Sequence, residues 1–163
     1  MTKPIWVTLT HEEMEVAAHE GVRRRLRNLA RGSQPLRGGL RTPPLNLPEQ
    51  WKCDIEGAAA ELAVSKVANE YWSGLNKQGA DVGASIGVRH TSYSDGHLII
   101  FDRDSDDMFM VLVTGTPPVL AVHGGIRAED AKDAKYYRDG RPTTEFWVPQ
   151  SDLYPLVAEG VVV

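Results

Sequence analysis

The chain has 163 residues, of which 42% are hydrophobic and 25% are charged, and its formal net charge is −4. This length and composition are typical of one globular domain around a single core. The sequence has no apolar run of membrane-helix length and no signal peptide, so we expect a cytoplasmic protein without membrane contact. The single cysteine, Cys53, excludes an internal disulfide.

The first predicted element is a helix from Thr10 to Ala30. Thr10 and Glu13 have the spacing of a capping box, which satisfies backbone donors at a helix start. Apolar residues recur every three or four positions and predict one apolar stripe, formed by Met14, Ala18, Val22, Leu26 and Leu29.

The same helix carries a cluster of arginines, although the net charge argues against a uniformly basic protein. We predict that four of them contact nucleic-acid phosphates: Arg23, Arg24, Arg27 and Arg31. Cations late in a helix also favour its dipole, so a purely structural, solvated face is the alternative.

Residues 32–50 are rich in glycine and proline and predict a linker. Asp54 then has the position of an N-cap for a second helix, which would run to about Trp72. We therefore expect residues 1–50 to form an N-terminal helix and linker packed on the core. Residues 51–163 would form the core of what is a single domain overall.

From Asp81 onward the pattern is that of strands, predicted at 85–90, 97–101, 109–113 and 119–122. The sequence Ser-Asp-Gly at 94–96 predicts a hairpin between the first two. A short helix at 127–137 and a last strand near 144–148 follow. The expected class is α+β (mixed α/β), with one central mixed sheet flanked by helices.

Two acids are candidates for chemistry. Glu61 lies in mid-helix among alanines and leucines, where a charge must be paired, solvated or bound to metal; pairing with a basic residue is the structural alternative. Asp81 lies where a glycine-containing loop becomes a strand, and it is either a turn former or a Mg²⁺ ligand. Arg89 would clamp a phosphate but remains protonated, so it is no base.

The segments "IEGAAAELAVSKVANEYW", "GADVGASIGVRHTSYSDGHLIIFDRDSDDMFMVLVTG" and "FWVPQSDLYPL" resemble small phage and prophage proteins related to the PD-(D/E)XK nucleases. The resemblance covers roughly residues 50–155 and implies a restriction-endonuclease-like core. It implies Glu61 as the helix acid, with Glu56 as an alternate, and Asp81 as the metal-holding acid. Mg²⁺ or Mn²⁺ would be the cofactor and Arg89 the third catalytic residue. Gly87 and Arg89 replace the usual glutamate and lysine; Asp95 or Asp102 could supply the missing acid.

Three functions follow as hypotheses. The first is a Mg²⁺- or Mn²⁺-dependent DNA nuclease. The second is a catalytically inactive module of the same fold that binds nucleic acid or a host protein. The third is an oligomeric structural or assembly protein whose apolar stripe is a subunit interface. The first requires the carboxylates of Glu61 and Asp81 to share one ion rather than pair with arginines.

Overall fold

A computed structural model describes residues 3–31, 46–75 and 79–156, and these residues form a mixed α+β fold. The helices are α1 (His11–Ala30), α2 (Leu47–Ala68) and the short α3 (Ala128–Ala131). The strands are β1 (Ile5–Thr8), β2 (Ile86–Thr91), β3 (Leu98–Phe101), β4 (Phe109–Thr116), β5 (Val119–Arg127), β6 (Tyr137–Arg138) and β7 (Glu145–Val148). No helix in these ranges is long and apolar enough to cross a bilayer.

The strands form two sheets, so the prediction of one central sheet is wrong. The first sheet has the order β1-β5-β4-β2 and is mixed, since only β2 and β4 run parallel. The second has the order β3-β7-β6 and is antiparallel. The predicted hairpin between β2 and β3 is therefore also wrong. β4 is buried along six consecutive residues, as expected for an apolar strand that is covered on both faces. It lies inside the sheet, between β5 and β2.

The start of α1 is confirmed, because Thr10 and Glu13 form a reciprocal capping box. The start of α2 was predicted too late. Asn46 caps this helix with Glu49, and Pro48 lies in its first turn, so Asp54 is an interior residue and Trp72 lies beyond the end. Residues 46–50 of the predicted linker at 32–50 are thus the cap and first turn of α2, and residues 32–45 lie outside the described ranges. The proposed boundary after residue 50 falls inside α2.

The core lies between α2 and the four-stranded sheet, and α1 packs against α2 and contributes Ala17 to this core. Consecutive alanines of α2 are completely buried and let the helix approach the sheet closely: Ala58, Ala59, Ala60 and Ala63. A second apolar cluster fills the space between the two sheets and includes Leu98, Ile100, Leu112 and Val148.

The predicted apolar stripe of α1 is only partly used inside the chain. Met14 packs against the core, but Val22, Leu26 and Leu29 are 37%, 55% and 47% exposed. The face turned toward α2 instead carries Ala17, Gly21 and Arg25, which are buried. The small residues Ala17 and Gly21 allow the two helix backbones to approach closely. The face of α1 that packs on α2 therefore differs from the apolar stripe that the sequence predicted.

Two smaller elements also differ from expectation. β1 was missed, because a strand of four residues carries a weak pattern; it pairs with β5 from Ile5↔Val122 to Thr8↔Val119. The helix predicted at 127–137 is shorter, since α3 ends at Ala131 and Asp133 caps a separate 3₁₀ turn at Ala134–Tyr136.

Candidate functional site

Glu61 is a buried acid of α2 that forms an ion pair with α1. Both of its oxygens accept hydrogen bonds from Arg24, Oε1 at 2.7 Å from Nη1 and Oε2 from Nη2. The indole nitrogen of Trp72 also donates to Oε2 at 2.9 Å. Burial lowers the pKa of Arg24, but the hydrogen bond and charge of Glu61, together with the charges of Glu20 and Asp81, outweigh it and raise the guanidinium pKa.

Asp81 lies in a tight reversal of the chain just before β2. Its backbone N–H donates to the carbonyl of Ile86 at 2.8 Å, and its Oδ2 accepts from the backbone N–H of Val88 at 2.7 Å. Burial, and after it the charge of Glu61, raise the pKa of this carboxyl to about 6 against the opposing effects of Val88, Arg89 and Arg24. Two carboxylates thus lie within electrostatic reach of each other.

Arg89 projects from β2 and is held by an acid from the loop after β3. Its Nη2 donates to both carboxylate oxygens of Asp104 at 2.8 Å. Asp104 also accepts from the backbone N–H of Phe101 at 2.9 Å, so this loop is fixed at its start. The guanidinium predicted to clamp phosphate is therefore engaged by an internal carboxylate.

A cavity of about 380 Å³ opens beside these groups and is lined by Asp81, Gly87, Arg89, Asp104 and Asp107, among others. Position 87 supplies no carboxylate. A Cβ built there would lie 2.6 Å from the sulfur of Met110, so the end of the methionine fills the space next to the strand. Asp95 and Asp102, which could have replaced the missing acid, are not among the described residues that line the cavity.

The carboxylates near this cavity are suitable ligands for a hard cation, but they are not arranged to bind one. Carboxylate oxygens are the ligands that Mg²⁺ and Mn²⁺ prefer. Glu61, however, is held by Arg24 and Asp104 by Arg89. Of these three acids, Asp81 is the one with no arginine ion pair in the described part of the chain. Within residues 3–31, 46–75 and 79–156, no three acid, histidine or cysteine side chains form a group that could hold a metal ion.

A second cavity, of about 420 Å³, is lined mainly by the arginines of α1. Arg24, Arg27 and Asn28 contribute from α1 and Arg31 from its C-cap, and the facing segments contribute Asp54, Gly74 and Leu75. We call it the arginine cavity. Three of the four predicted phosphate-contacting arginines meet here. Arg23 is not among the lining residues; its side chain is 59% exposed and pairs with Glu20 at 3.0 Å.

Arg25 has a structural place that the sequence did not indicate. It is completely buried, donates to the side-chain oxygen of Gln50 at 2.8 Å and lies 3.5 Å from Asp54. Burial raises the pKa of Asp54, while the charges of Arg25 and Arg24 lower it. This arginine therefore joins α1 to α2 rather than facing a ligand.

No family model matches this sequence, and no curated protein or solved structure is significantly similar to it. The resemblance to PD-(D/E)XK nucleases therefore stays a prediction. Two residues that the sequence analysis missed are Asp104, the partner of Arg89, and Glu145, a completely buried acid of β7. The order Glu145-Phe146-Trp147 alternates in polarity, a pattern that could have placed Glu145 and Trp147 on one face of a strand.

Proposed function

We propose that this chain binds DNA through the arginine cavity, as a cytoplasmic module in which Glu61 of a nuclease-like site is paired with Arg24. The observation that carries the proposal is the convergence of Arg24, Arg27 and Arg31 on one cavity. Guanidinium groups match phosphate geometry, and phosphate contacts supply most of the affinity of sequence-independent binding.

The ion pairs of α1 indicate which arginines are available. Arg24 is committed to Glu61 in a partly buried bidentate pair. Arg27 has Glu20 at 3.0 Å, but its side chain is 41% exposed. Arg31 forms no ion pair within the described part of the chain, and it lies at the helix end. Arg27 and Arg31 are therefore the arginines that would contact phosphate.

The proposal predicts that Arg27→Gln/Arg31→Gln weakens binding to a duplex of about 20 base pairs by 10-fold or more, because two phosphate contacts are lost. Fluorescence anisotropy of labelled duplex at one fixed salt concentration measures the affinity. Arg23→Gln is the matched control, since it removes an exposed arginine of the same helix that lies outside the cavity. Equal losses in both variants would contradict the proposed site.

A second candidate function is Mg²⁺- or Mn²⁺-dependent hydrolysis of DNA, with Glu61, Asp81 and Arg89 as its residues. One observation favours it: Asp81 is half-buried, and burial together with the charge of Glu61 raises its pKa to about 6. Perturbed acids of this kind cluster at functional sites. For Glu61 to bind an ion, that ion would have to displace Arg24.

Cleavage of supercoiled and single-stranded DNA in each metal tests this candidate against simple binding. The Asp81→Asn/Glu61→Gln double variant is the control. If the chain only binds DNA, the wild-type protein leaves DNA intact in both metals and still raises the fluorescence anisotropy of the labelled duplex. Cleavage that disappears in the double variant would establish the nuclease instead. Absence of both binding and cleavage would direct the search to a host protein or to assembly through the exposed half of α1.

A further inference from the structure

The three-stranded sheet has an outer face that the site described above does not use. Leu98, Ile100, Phe146 and Val148 point into the apolar cluster between the sheets. Because side chains alternate along a strand, the intervening Ile99, Phe101 and Trp147 lie on the opposite face, where they are half-buried. Two aromatic rings are thus presented on one surface, on neighbouring strands.

Arginines surround both rings. The guanidinium carbon of Arg103 lies 4.4 Å from the centre of the Phe101 ring, and that of Arg89 lies 5.6 Å from it. The corresponding distances from Arg138 and Arg141 to the Trp147 ring are 5.0 Å and 5.1 Å. We call this surface the aromatic–arginine face. Its Arg89 end also lines the cavity of Asp81.

The position of Trp147 is fixed by a buried charge. Glu145, which is completely buried, accepts the indole N–H of Trp147 at 3.0 Å and the hydroxyl of Thr143 at 3.1 Å. Arg141 lies 3.9 Å from the same carboxylate. Burying a carboxylate is unfavourable unless it is fully paired. Here it sets the orientation of the indole and holds a cation beside it.

A cavity of about 400 Å³, in the size range of ligand sites, adjoins the indole. It is lined by cationic and aromatic side chains, including His97, Lys135, Tyr137, Arg138 and Trp147. One acid, Asp152, also lines this cavity, and it accepts a hydrogen bond from the hydroxyl of Tyr136 at 2.8 Å. Rings for stacking and cations for phosphate therefore lie side by side, the combination by which proteins hold single-stranded nucleic acid.

We propose that the aromatic–arginine face binds a single-stranded segment of DNA, with a base stacked on Trp147 and backbone phosphates on Arg138 and Arg141. The inference rests on the proposed DNA binding, because the single-stranded segment would belong to the same DNA that the arginine cavity binds. Arg89 connects this face with the cavity of Asp81, so the strand would lead toward that cavity. Stacking is tolerant of base identity, so the binding is independent of sequence.

Tryptophan fluorescence during titration with a 12-nucleotide oligothymidylate tests the inference. Stacking on Trp147 quenches its emission, so we expect quenching in the wild-type protein and its loss in Trp147→Phe, which conserves an aromatic ring for packing. Trp6→Phe is the matched control, since Trp6 is a 67% exposed tryptophan of the other sheet. Quenching that persists in Trp147→Phe would overturn the inference.

Two further measurements separate stacking from charge and from the arginine cavity. An abasic oligonucleotide of equal length should bind at least 10-fold more weakly than oligothymidylate, and Arg138→Gln/Arg141→Gln should weaken oligothymidylate binding at least fivefold. Equal affinity for both oligonucleotides would overturn the inference. Arg27→Gln/Arg31→Gln should leave the quenching intact. Quenching without duplex binding would refute only the proposal that the arginine cavity binds DNA. Duplex binding without quenching would refute only the proposal for the aromatic–arginine face.

Discussion

At the scale of single residues, Asp81 is a group whose surroundings disfavour its charge. Glu61 and Asp104 each have an arginine partner, whereas Asp81 is stabilised by one backbone N–H and by more distant cations. Burial and the neighbouring Glu61 raise its pKa to about 6 from the ordinary 3.8. Side chains whose charged form destabilises the fold are common at functional sites. Removing the charge of Asp81 should therefore change the stability of the protein measurably.

Asp81→Asn should make the protein more stable at neutral pH. Because the folded-state pKa lies above the unfolded value, the favourable contribution of Asp81 is present below pH 3.8 and is lost as pH rises through 6. The amide keeps an acceptor for Val88 and has no charge. The free energy of unfolding of the variant should therefore exceed that of the wild type by on the order of 2 kcal/mol at pH 7.5, with little gain at pH 4.

Urea denaturation at the two pH values measures this difference, and Asp95→Asn, an exposed acid in the 94–96 turn, is the control. A variant that is less stable than the wild type at pH 7.5 would show that the Asp81 charge is stabilising in the fold.

Glu61→Gln should have the opposite effect. It breaks a pair whose side chains are 8% and 19% exposed, and it leaves Arg24 with the more distant carboxylate of Glu20, at 3.8 Å. Relief of the repulsion with Asp81 offsets part of the loss, so we expect a destabilisation of about 2 kcal/mol. Arg24→Gln/Glu61→Gln should recover part of it in a double-mutant cycle. If Glu61→Gln were more stable than the wild type, repulsion between the two acids would dominate, as in a cation site.

The sequence indicated Glu61, Asp81 and Arg89 as notable, but not what each contacts. Glu61 pairs with a residue 37 positions away and Arg89 with one 15 positions away. Such partners depend on how α1 lies against α2 and where the loop after β3 folds. No local pattern encodes either arrangement.

At the scale of elements, the contact between α1 and α2 depends on one glycine. A Cβ on Gly21 would lie 2.5 Å from the Cα of Ile55, and backbone atoms have no room to yield. Gly21→Ala should therefore destabilise the protein by roughly 2 kcal/mol or more, despite the better helix propensity of alanine. Gly57→Ala is the matched control. It has no atom within 4 Å of the added Cβ and should stabilise the protein by about 0.5–1 kcal/mol.

Thermal unfolding of both variants measures the pair of effects. A stabilised Gly21→Ala would show that α1 does not pack on α2 as described.

The elements that could be predicted are those whose signals are local. The capping box fixed the start of α1, and period-two patterns located β2 to β5 to within a few residues. The start of α2 could have been predicted, since Asn46 and Glu49 have the same capping spacing as Thr10 and Glu13. The division into two sheets could not, because a strand's pattern shows which face is buried but not which strand it pairs with.

At the scale of the whole molecule, a net charge of −4 conceals two cationic surfaces. The arginine cavity lies on α1 and its facing segments, and the aromatic–arginine face lies on the three-stranded sheet. Local fields of this kind, rather than the overall charge, determine attraction to a polyanion. We therefore expect DNA binding by a protein that is acidic overall.

The most direct test of that claim is the salt dependence of duplex binding. The logarithm of the association constant should fall linearly with the logarithm of salt concentration, by about 0.9 per phosphate contact. We predict that Arg27→Gln/Arg31→Gln makes this slope shallower by about 1.8. Arg23→Gln should leave it unchanged. An unaltered slope in the double variant, or an equal change in Arg23→Gln, would show that the arginine cavity is not the DNA site.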